Sequence, residues 1–310
     1  MMKILYFGTA QIAADILKEL TKLDTEVVGV VSQPDRIGNR NKIQPTPVKQ
    51  VALELGLKLF QPNKSREIVE EIQALKPDLI LTCAYGEIIG EKILNIPKYK
   101  CVNIHASLLP KYRGAAPIQF AILNNEKETG ITLMYMDKSM DTGDIIVQEK
   151  VSIEPNETFS SLYNKLTVLG KKMIKENIHI LTSDNVKHYP QDNDSATYTK
   201  KIEKVDEKIN WSESAIKIDC LVRALFEKPI AYTTYGDTLV KIHEVEVVGN
   251  NKSDATPGTI IDISKHGILV NTGSGGILIK KIQLAGKNPT PIASLLNGKH
   301  IFEIDKSFTF

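Results

Sequence analysis

The stretch KILYFGTAQIAADILKEL, residues 3–20, decides the fold class of the first half of the chain. It begins with a compact apolar run that ends at Gly8, and such a run predicts a buried strand. Its second half has apolar residues at positions 12, 16, 17 and 20, the spacing of an amphipathic helix. Because a strand followed at once by a helix is half of a βαβ unit, the stretch predicts a parallel sheet.

The same pattern recurs along the next hundred residues. Apolar runs typical of strands occupy 26–32, 78–85 and 101–107, and amphipathic segments lie between them. Thr46-Pro47 predicts a helix that begins with a threonine N-cap and proline in the first turn. This alternation favours an α/β domain with a mostly parallel sheet covered on both faces. Two further runs, 131–136 and 144–153, predict an added hairpin.

The residue composition and the periodicity of the sequence change after residue 187. The segment HYPQDNDSATYTKKIEKVDEK, residues 188–208, is polar and has little periodicity, which is typical of a linker. Trp211 follows as a predicted core residue, and Ser212 is predicted to cap a helix. Short strands and turn signals then alternate to the end, which favours a small all-β barrel or sandwich. The predicted organisation is a catalytic domain over 1–187, a linker over 188–208 and a second domain over 209–310.

Composition narrows the class of protein. The 310 residues are 42% hydrophobic and 25% charged with a net charge of +2, as in a globular protein without a polyelectrolyte surface. Three widely spaced cysteines favour a reducing compartment over a disulfide framework or a zinc site. The beginning of the chain resembles neither a signal nor a transit peptide, and no run approaches a membrane span. We expect a monomer in the cytoplasm with no membrane partner.

Two hydrogen-bonding side chains interrupt the apolar run at 101–107. Asn103 and His105 are two residues apart on a predicted strand, so they project from the same face. Ligands of open α/β sheets bind beyond the carboxyl ends of strands, where this run ends. Histidine, with an unperturbed pKa of about 6.5, suits proton transfer, and an asparagine amide can donate to a developing oxyanion. Asp141, in an Asp- and Gly-rich turn, is the best available partner for the histidine.

Simpler interpretations remain open for each of these residues. A single histidine on a strand is more often a hydrogen-bonded structural residue, and Asp141 could be a plain turn former. The stretch after the first strand lacks the glycine spacing of a dinucleotide site, and the chain has neither a P-loop nor metal-ligand spacing. We therefore expect no metal and no nicotinamide cofactor.

A long connection over 34–49 carries several positive charges. Arg36, Arg40 and Lys42 lie on it, and such a loop can reach phosphate groups. The alternative is a solvated surface loop. Taken alone, the composition of the connection does not choose between them.

Several motifs resemble those of the folate-dependent formyltransferases. They are NIH and SLLPKYRGAAPIQ within 103–119, and DTGDI at 141–145. FGT at the start, SQPDR and PTPVK around the basic connection, AYG at 84–86 and INWS at 209–212 extend the resemblance over nearly the whole chain. The basic connection and the second domain resemble the members that act on aminoacylated tRNA.

The resemblance implies a Rossmann-like catalytic domain and an OB-like second domain that binds tRNA. It implies transfer of a formyl group from 10-formyltetrahydrofolate to the α-amino group of methionine on initiator tRNA. By the same resemblance, the catalytic residues are Asn103, His105 and Asp141. The folate-binding residues are Tyr85, Gly86, Ser107, Leu108, Leu109 and Pro110, and the tRNA loop residues are Arg36, Arg40 and Lys42. The alternatives are an enzyme that formylates a nucleotide-linked amino sugar and an inactive relative that binds folate or RNA.

Overall fold

A seven-stranded, mostly parallel sheet forms the centre of the first half of the chain, in a computed structural model that describes residues 1–37, 43–249 and 254–309. The strands up to residue 199 are β1 Met2–Gly8, β2 Thr25–Val31, β3 Arg36–Ile37, β4 Ile43–Gln44, β5 Leu59–Phe60, β6 Leu79–Cys83, β7 Cys101–His105, β8 Arg113–Gly114, β9 Glu128–Tyr135, β10 Ile145–Ser152 and β11 Tyr198–Thr199. The sheet order is β10-β9-β7-β6-β1-β2-β5, and the five strands from β7 to β5 are parallel. The antiparallel pair β9 and β10 adds the predicted hairpin at one edge. The predicted fold class of this half is confirmed.

Helices connect these strands. They are α1 Gln11–Leu20, α2 Pro47–Glu54, α3 Val69–Leu75, α4 Glu91–Leu94, α5 Pro117–Leu123 and α6 Phe159–Asn177. Helix α2 begins as predicted, with the Thr46 hydroxyl accepting a hydrogen bond from the backbone N–H of Lys49 and proline in its first turn. None of the helices in the described ranges combines the length and the apolar character that crossing a bilayer requires.

The central strands are buried on both faces, as expected for a parallel sheet covered by helices. All five residues of β6 are buried, and so are positions 4–8 of the neighbouring β1. Cys83 and Cys101 are free thiols in this core, and burial raises the pKa of each to about 12. Both cysteines therefore behave as small apolar residues.

The second half of the chain is built around an antiparallel sheet. Its elements are α7 Ala215–Ala224, β12 Tyr232–Tyr235, β13 Thr238–Val248, β14 Ile260–Ser264, β15 Gly267–Asn271, β16 Gly276–Leu284, β17 Thr290–Pro291 and α8 Ile292–Leu295. The order is β12-β13-β16-β15-β14, and β17 pairs with β16. Near the end of the chain, Thr309 bridges to Thr234 on β12, and Asp305 donates its N–H to the carbonyl of Ile260 on β14. The end of the chain therefore bonds to both edge strands of the sheet, as in a small barrel. The OB-like strand topology stays a prediction.

Trp211 anchors the core of this half, as predicted. Its ring is fully buried and stacks on Phe308 with centroids 5.4 Å apart, and its indole N–H donates to the Thr233 hydroxyl. The predicted cap of the following helix was wrong by two residues. Ser214, not Ser212, accepts the hydrogen bond from the N–H of Lys217 at the start of α7.

Contacts between Cα atoms divide the chain into two units. The first comprises Met1–Pro117, Glu128–Ser152 and Tyr163–Lys200, and the second comprises Ile118–Lys127, Ile153–Leu162 and Lys201–Phe310. Part of the segment predicted as a linker is hydrogen-bonded within the first unit, because β11 pairs with β8 and Tyr189 pairs with Ile145. The domain limits expected at 187 and 209 stay a prediction.

Candidate active site

The carboxyl ends of three parallel strands meet at one edge of the first sheet. The register aligns Gly8 on β1 with Cys83 on β6, and Thr82 on β6 with Asn103 on β7. His105 is the last residue of β7, on the same face as Asn103. The segments that follow these strands therefore surround the two polar side chains identified from the sequence.

Asp141 reaches this edge from the turn that joins β9 to β10. The N–H of Tyr135 donates to the carbonyl of Asp144, which closes the turn. Gly143 is needed inside it, since a Cβ there would collide with the carbonyl of Tyr135. Asp141 itself has a positive φ of 54°, a conformation that aspartate tolerates better than most residues. The tight turn directs its carboxylate back toward β7.

The three predicted catalytic side chains lie together. The Asn103 amide nitrogen donates to Oδ1 of Asp141 at 3.3 Å, and Nδ1 of His105 lies 3.6 Å from Oδ2 of the same carboxylate. The side chains of His105 and Asp141 are only 6% and 14% exposed, so their interactions are poorly screened by water. The structure thus brings an amide donor, an imidazole and a carboxylate into one nearly buried cluster.

A backbone carbonyl fixes the imidazole of His105. Nε2 lies 2.9 Å from the carbonyl oxygen of Tyr112, and a carbonyl can only accept a hydrogen bond. Nε2 must therefore carry a hydrogen, which leaves Nδ1 as the atom that faces Asp141. At 3.6 Å the separation from the carboxylate is an ion-pair distance rather than a hydrogen bond. The sequence offered Asp141 as the partner of His105, whereas the carbonyl of Tyr112 is a second partner.

Further groups hold Asn103 and Asp141. Thr82 donates its hydroxyl hydrogen to Oδ1 of Asn103 at 2.8 Å, so the amide nitrogen is turned toward Asp141. The N–H of Gly114 donates to Oδ2 of Asp141 at 2.8 Å, and the side chain of Gln191 donates to the Asp141 carbonyl at 2.9 Å. Gln191 in turn accepts two hydrogen bonds from Arg113. None of these supporting residues was identified as such from the sequence.

The predicted folate-binding residues differ in their accessibility. Ser107 and Leu109 are buried, and Thr132 accepts the Leu109 N–H while donating to the Ser107 carbonyl. Leu108 and Pro110 keep partly exposed surface beside the end of β7. Any direct contact of this segment with a ligand would therefore be made by Leu108 and Pro110 rather than by the other two side chains.

The other predicted folate-binding residues follow β6. Tyr85 is buried and packs edge-on against Phe7, with ring centroids 5.1 Å apart. Gly86 is exposed with a φ of 81°, and a Cβ there would approach the Gln33 amide at 3.1 Å. Gly86 thus presents backbone at the same sheet edge as the cluster of Asn103, His105 and Asp141, and the buried Tyr85 directly precedes it.

Only one of the three predicted tRNA-loop residues falls within the described residues. Arg36 is exposed and donates to the Gln33 side chain, whereas Arg40 and Lys42 lie outside the described ranges. The base of the loop is pinned by Asp35, which pairs with Lys49 at 2.6 Å and accepts from Gln61 at 2.9 Å. The hydrogen bonds from Gln61 and Lys49 favour the ionised form of the Asp35 carboxyl group and so lower its pKa.

Both halves of the chain match one family. A model described as "Formyl transferase" matches residues 2–178, and one described as "Formyl transferase, C-terminal domain" matches residues 201–300. The chain therefore belongs to the formyl transferase family. Among curated relatives, the methionyl-tRNA formyltransferase of Mesoplasma florum is 44% identical over 288 residues, which cover 92% of each chain. That of Clostridium tetani is 42% identical over 97% of this chain and 98% of its own.

Solved structures agree with this assignment. The chain is similar to a sugar 3N-formyl transferase crystallised with dTDP and 5-N-formyl-THF, at 25% identity and a TM-score of 0.67 over 93% of this chain and 99% of that one. It is also similar to the phosphoribosylglycinamide formyltransferase of Bacillus halodurans, at 26% identity and a TM-score of 0.51 over 59% of this chain and 96% of that one. The family predicted from the motifs is confirmed.

Proposed function

We propose that this chain transfers a formyl group from 10-formyltetrahydrofolate to the α-amino group of methionine on initiator methionyl-tRNA. The observation that carries the proposal is its similarity, over 92% or more of the chain, to proteins curated as methionyl-tRNA formyltransferase. The reaction supplies formylated initiator tRNA for translation initiation. The two formyl transferase models together match most of the chain, which supports an acceptor that needs more than the first domain.

The chemistry passes through a tetrahedral intermediate. The methionine nitrogen attacks the formyl carbon, and the carbonyl electron pair moves to oxygen. The amine gives up a proton, the bond from the formyl carbon to N10 of the folate breaks, and N10 takes up a proton. Formylmethionyl-tRNA and tetrahydrofolate result. Two demands on the protein follow, since it must stabilise the oxyanion and receive the amine proton.

The cluster at the end of β7 meets both demands. The Asn103 nitrogen has two hydrogens, one of which donates to Asp141, and the other is proposed to donate to the oxyanion. His105 already donates from Nε2, so its charged form presents an Nδ1–H beside the carboxylate, and this group is the proposed second oxyanion donor. Asp141 balances the charge on the imidazole and accepts the proton of the attacking amine. These steps use only protein side chains and the two substrates.

The surroundings of the cluster suit the folate. Leu108 and Pro110, in the segment that follows β7, keep apolar surface partly exposed, and Gly86 presents backbone without a side chain after β6. A flat heteroaromatic ring combines apolar faces with hydrogen-bonding edges, so surfaces of both kinds are required. We assign the folate to this edge, with its formyl group toward Asn103 and His105.

The tRNA is assigned to the basic connection and to the second domain. Arg36, Arg40 and Lys42 in the connection before α2 are proposed to contact its phosphates, and residues 209–310 are proposed to bind it as an OB-like domain. Monomeric state and cytoplasmic location belong to the same proposal.

A single assay tests the function. Purified protein is incubated with 10-formyltetrahydrofolate and either methionyl initiator tRNA or a nucleotide-linked amino sugar, and the formylated products are separated. We expect product on the tRNA alone. Product on the sugar alone would assign the chain to the other branch of its family, and a lack of product on both would identify an inactive relative.

A further inference from the structure

We propose that Gln191 is a positioning residue for formyl transfer, because it holds the backbone of Asp141 in the conformation that presents its carboxylate to the reaction. This inference rests on the proposed function. Gln191 lies in the polar segment that the sequence analysis interpreted as a linker, 50 residues from Asp141 along the chain.

The side-chain amide of Gln191 is completely used. Its oxygen accepts from Nε and from one terminal nitrogen of Arg113, at 2.9 and 2.8 Å. Its nitrogen donates to the carbonyls of Asp141 and Gly143, at 2.9 and 2.8 Å. A guanidinium can only donate and a carbonyl can only accept, so the orientation of the amide is forced. The amide therefore links one buried cation to two carbonyls of a single turn.

That turn needs an external restraint. Asp141 has a φ of 54°, in the left-handed region that a non-glycine residue adopts only at a free-energy cost. Gln191 bonds the carbonyl of Asp141 itself and the carbonyl two residues later, so it spans the strained peptide. Together with the Gly114 N–H on the carboxylate, it fixes both the backbone and the side chain of Asp141.

The other end of the link is rigid. The Arg113 guanidinium belongs to a residue that is only 1% exposed, and its remaining partners are the Asn193 side-chain oxygen at 2.8 Å and the Tyr198 hydroxyl at 3.1 Å. The planar fork of arginine holds several acceptors in one fixed geometry. Arg113 also precedes Gly114, so the same short strand supports Asp141 by two routes.

The segment around Gln191 is attached independently of Gln191. Tyr189 forms a bridge with Ile145 on one side, and Tyr198 and Thr199 pair with β8 on the other. Removing the two hydrogen bonds that the amide nitrogen donates should therefore leave the segment in place and release the turn at Asp141. This separation makes a positioning role testable apart from a structural one.

The experiment uses Gln191→Glu in the full chain. One carboxylate oxygen can still accept from Arg113, but the other faces two carbonyls without a hydrogen to donate. We expect kcat for methionyl-tRNA to fall about 10- to 100-fold, the scale for misplacing a reacting group, while KM for both substrates stays unchanged. Gln191→Met, which removes the bonds without adding charge, replaces it if the glutamate variant does not fold. Gln73→Glu, at an exposed position on α3, controls for the added charge.

A double-mutant cycle separates positioning from structure. If Gln191 acts through Asp141, adding Gln191→Glu to Asp141→Ala should cause no further loss of kcat. An equal fold-loss in both backgrounds, or a single variant with parental kcat, would overturn the inference while leaving the proposed function intact. A parent that forms no formylmethionyl-tRNA would instead overturn the proposed function, and the inference with it.

Discussion

Thr82 donates its hydroxyl hydrogen to the side-chain oxygen of Asn103 at 2.8 Å, across the parallel pair β6 and β7. The bond distinguishes the two ends of the amide and turns its nitrogen toward Asp141. We expect Thr82→Val to lower kcat roughly five- to tenfold, because losing one orienting hydrogen bond costs about 1 kcal/mol. Steady-state formylation assays measure this, and an unchanged kcat would show that Asp141 alone orients the amide.

Thr129 provides the matched control for that change. It is also a buried threonine on a strand of the same sheet, but its hydroxyl has no hydrogen-bond partner among the described residues. Thr129→Val removes a desolvated, unpaired hydroxyl and keeps the shape, so the free energy of unfolding should rise by about 1 kcal/mol. Urea unfolding gives that free energy, and kcat should stay at the parental value. A less stable variant would mean that the hydroxyl has a partner after all.

Removing a side chain of the proposed catalytic cluster should lower kcat more than Thr82→Val does. Asn103→Ala and Asp141→Ala should each lose about 100-fold or more in kcat, as observed when an oxyanion-hole donor is removed. Circular dichroism and thermal unfolding check that each variant is folded. Because His105 is the second proposed donor, a His105→Ala variant with near-parental kcat would refute the mechanism.

The sequence predicted the placement of Asn103 and His105 because that placement follows from local rules. Side chains two apart on a strand share a face, and parallel strands end at a common edge where ligands bind. The helix cap at Thr46 is equally local. The predicted cap at Ser212 was wrong, since two serines were available and Ser214, directly before Ala215, is the N-cap.

The supporting residues could not be predicted in this way. Gln191 meets Asp141 across 50 residues, and Thr82 meets Asn103 across 21 residues. Neither glutamine nor threonine has a sequence signature for such a contact. The support that Tyr112 gives to His105 comes from a backbone carbonyl, which every residue has. Long-range contacts of this kind depend on how the chain folds as a whole.

The stability that Asp35 contributes at the base of the basic loop should depend on pH. Hydrogen bonds from Gln61 and Lys49 lower the pKa of Asp35 below its usual 3.8. A lowered pKa means that the folded state favours the ionised carboxylate. The stabilisation from this carboxylate is therefore fully present above the pKa of Asp35 in the unfolded state, and it is lost as the pH falls through the pKa in the folded state. Asp35→Asn should therefore be less stable than the parent at pH 7, and this difference should shrink below pH 3.8. Urea unfolding over a pH series measures both; a constant difference would contradict the assignment.

The basic connection before α2 should serve the tRNA and not the folate. Arg40→Ala and Arg36→Ala remove one positive charge each, and contacts with phosphates account for much of the affinity for a nucleic acid. We expect the KM for methionyl-tRNA to be higher in both variants than in the parent, while the KM for 10-formyltetrahydrofolate is unchanged. Added salt should raise the KM for methionyl-tRNA more steeply in the parent than in either variant. Lys92→Ala, which removes an exposed charge on α4, is the control and should leave both constants unaltered. If the arginine variants lose affinity for both substrates equally, the loop does not act on the tRNA, and its positive charges would have to be assigned to the folate.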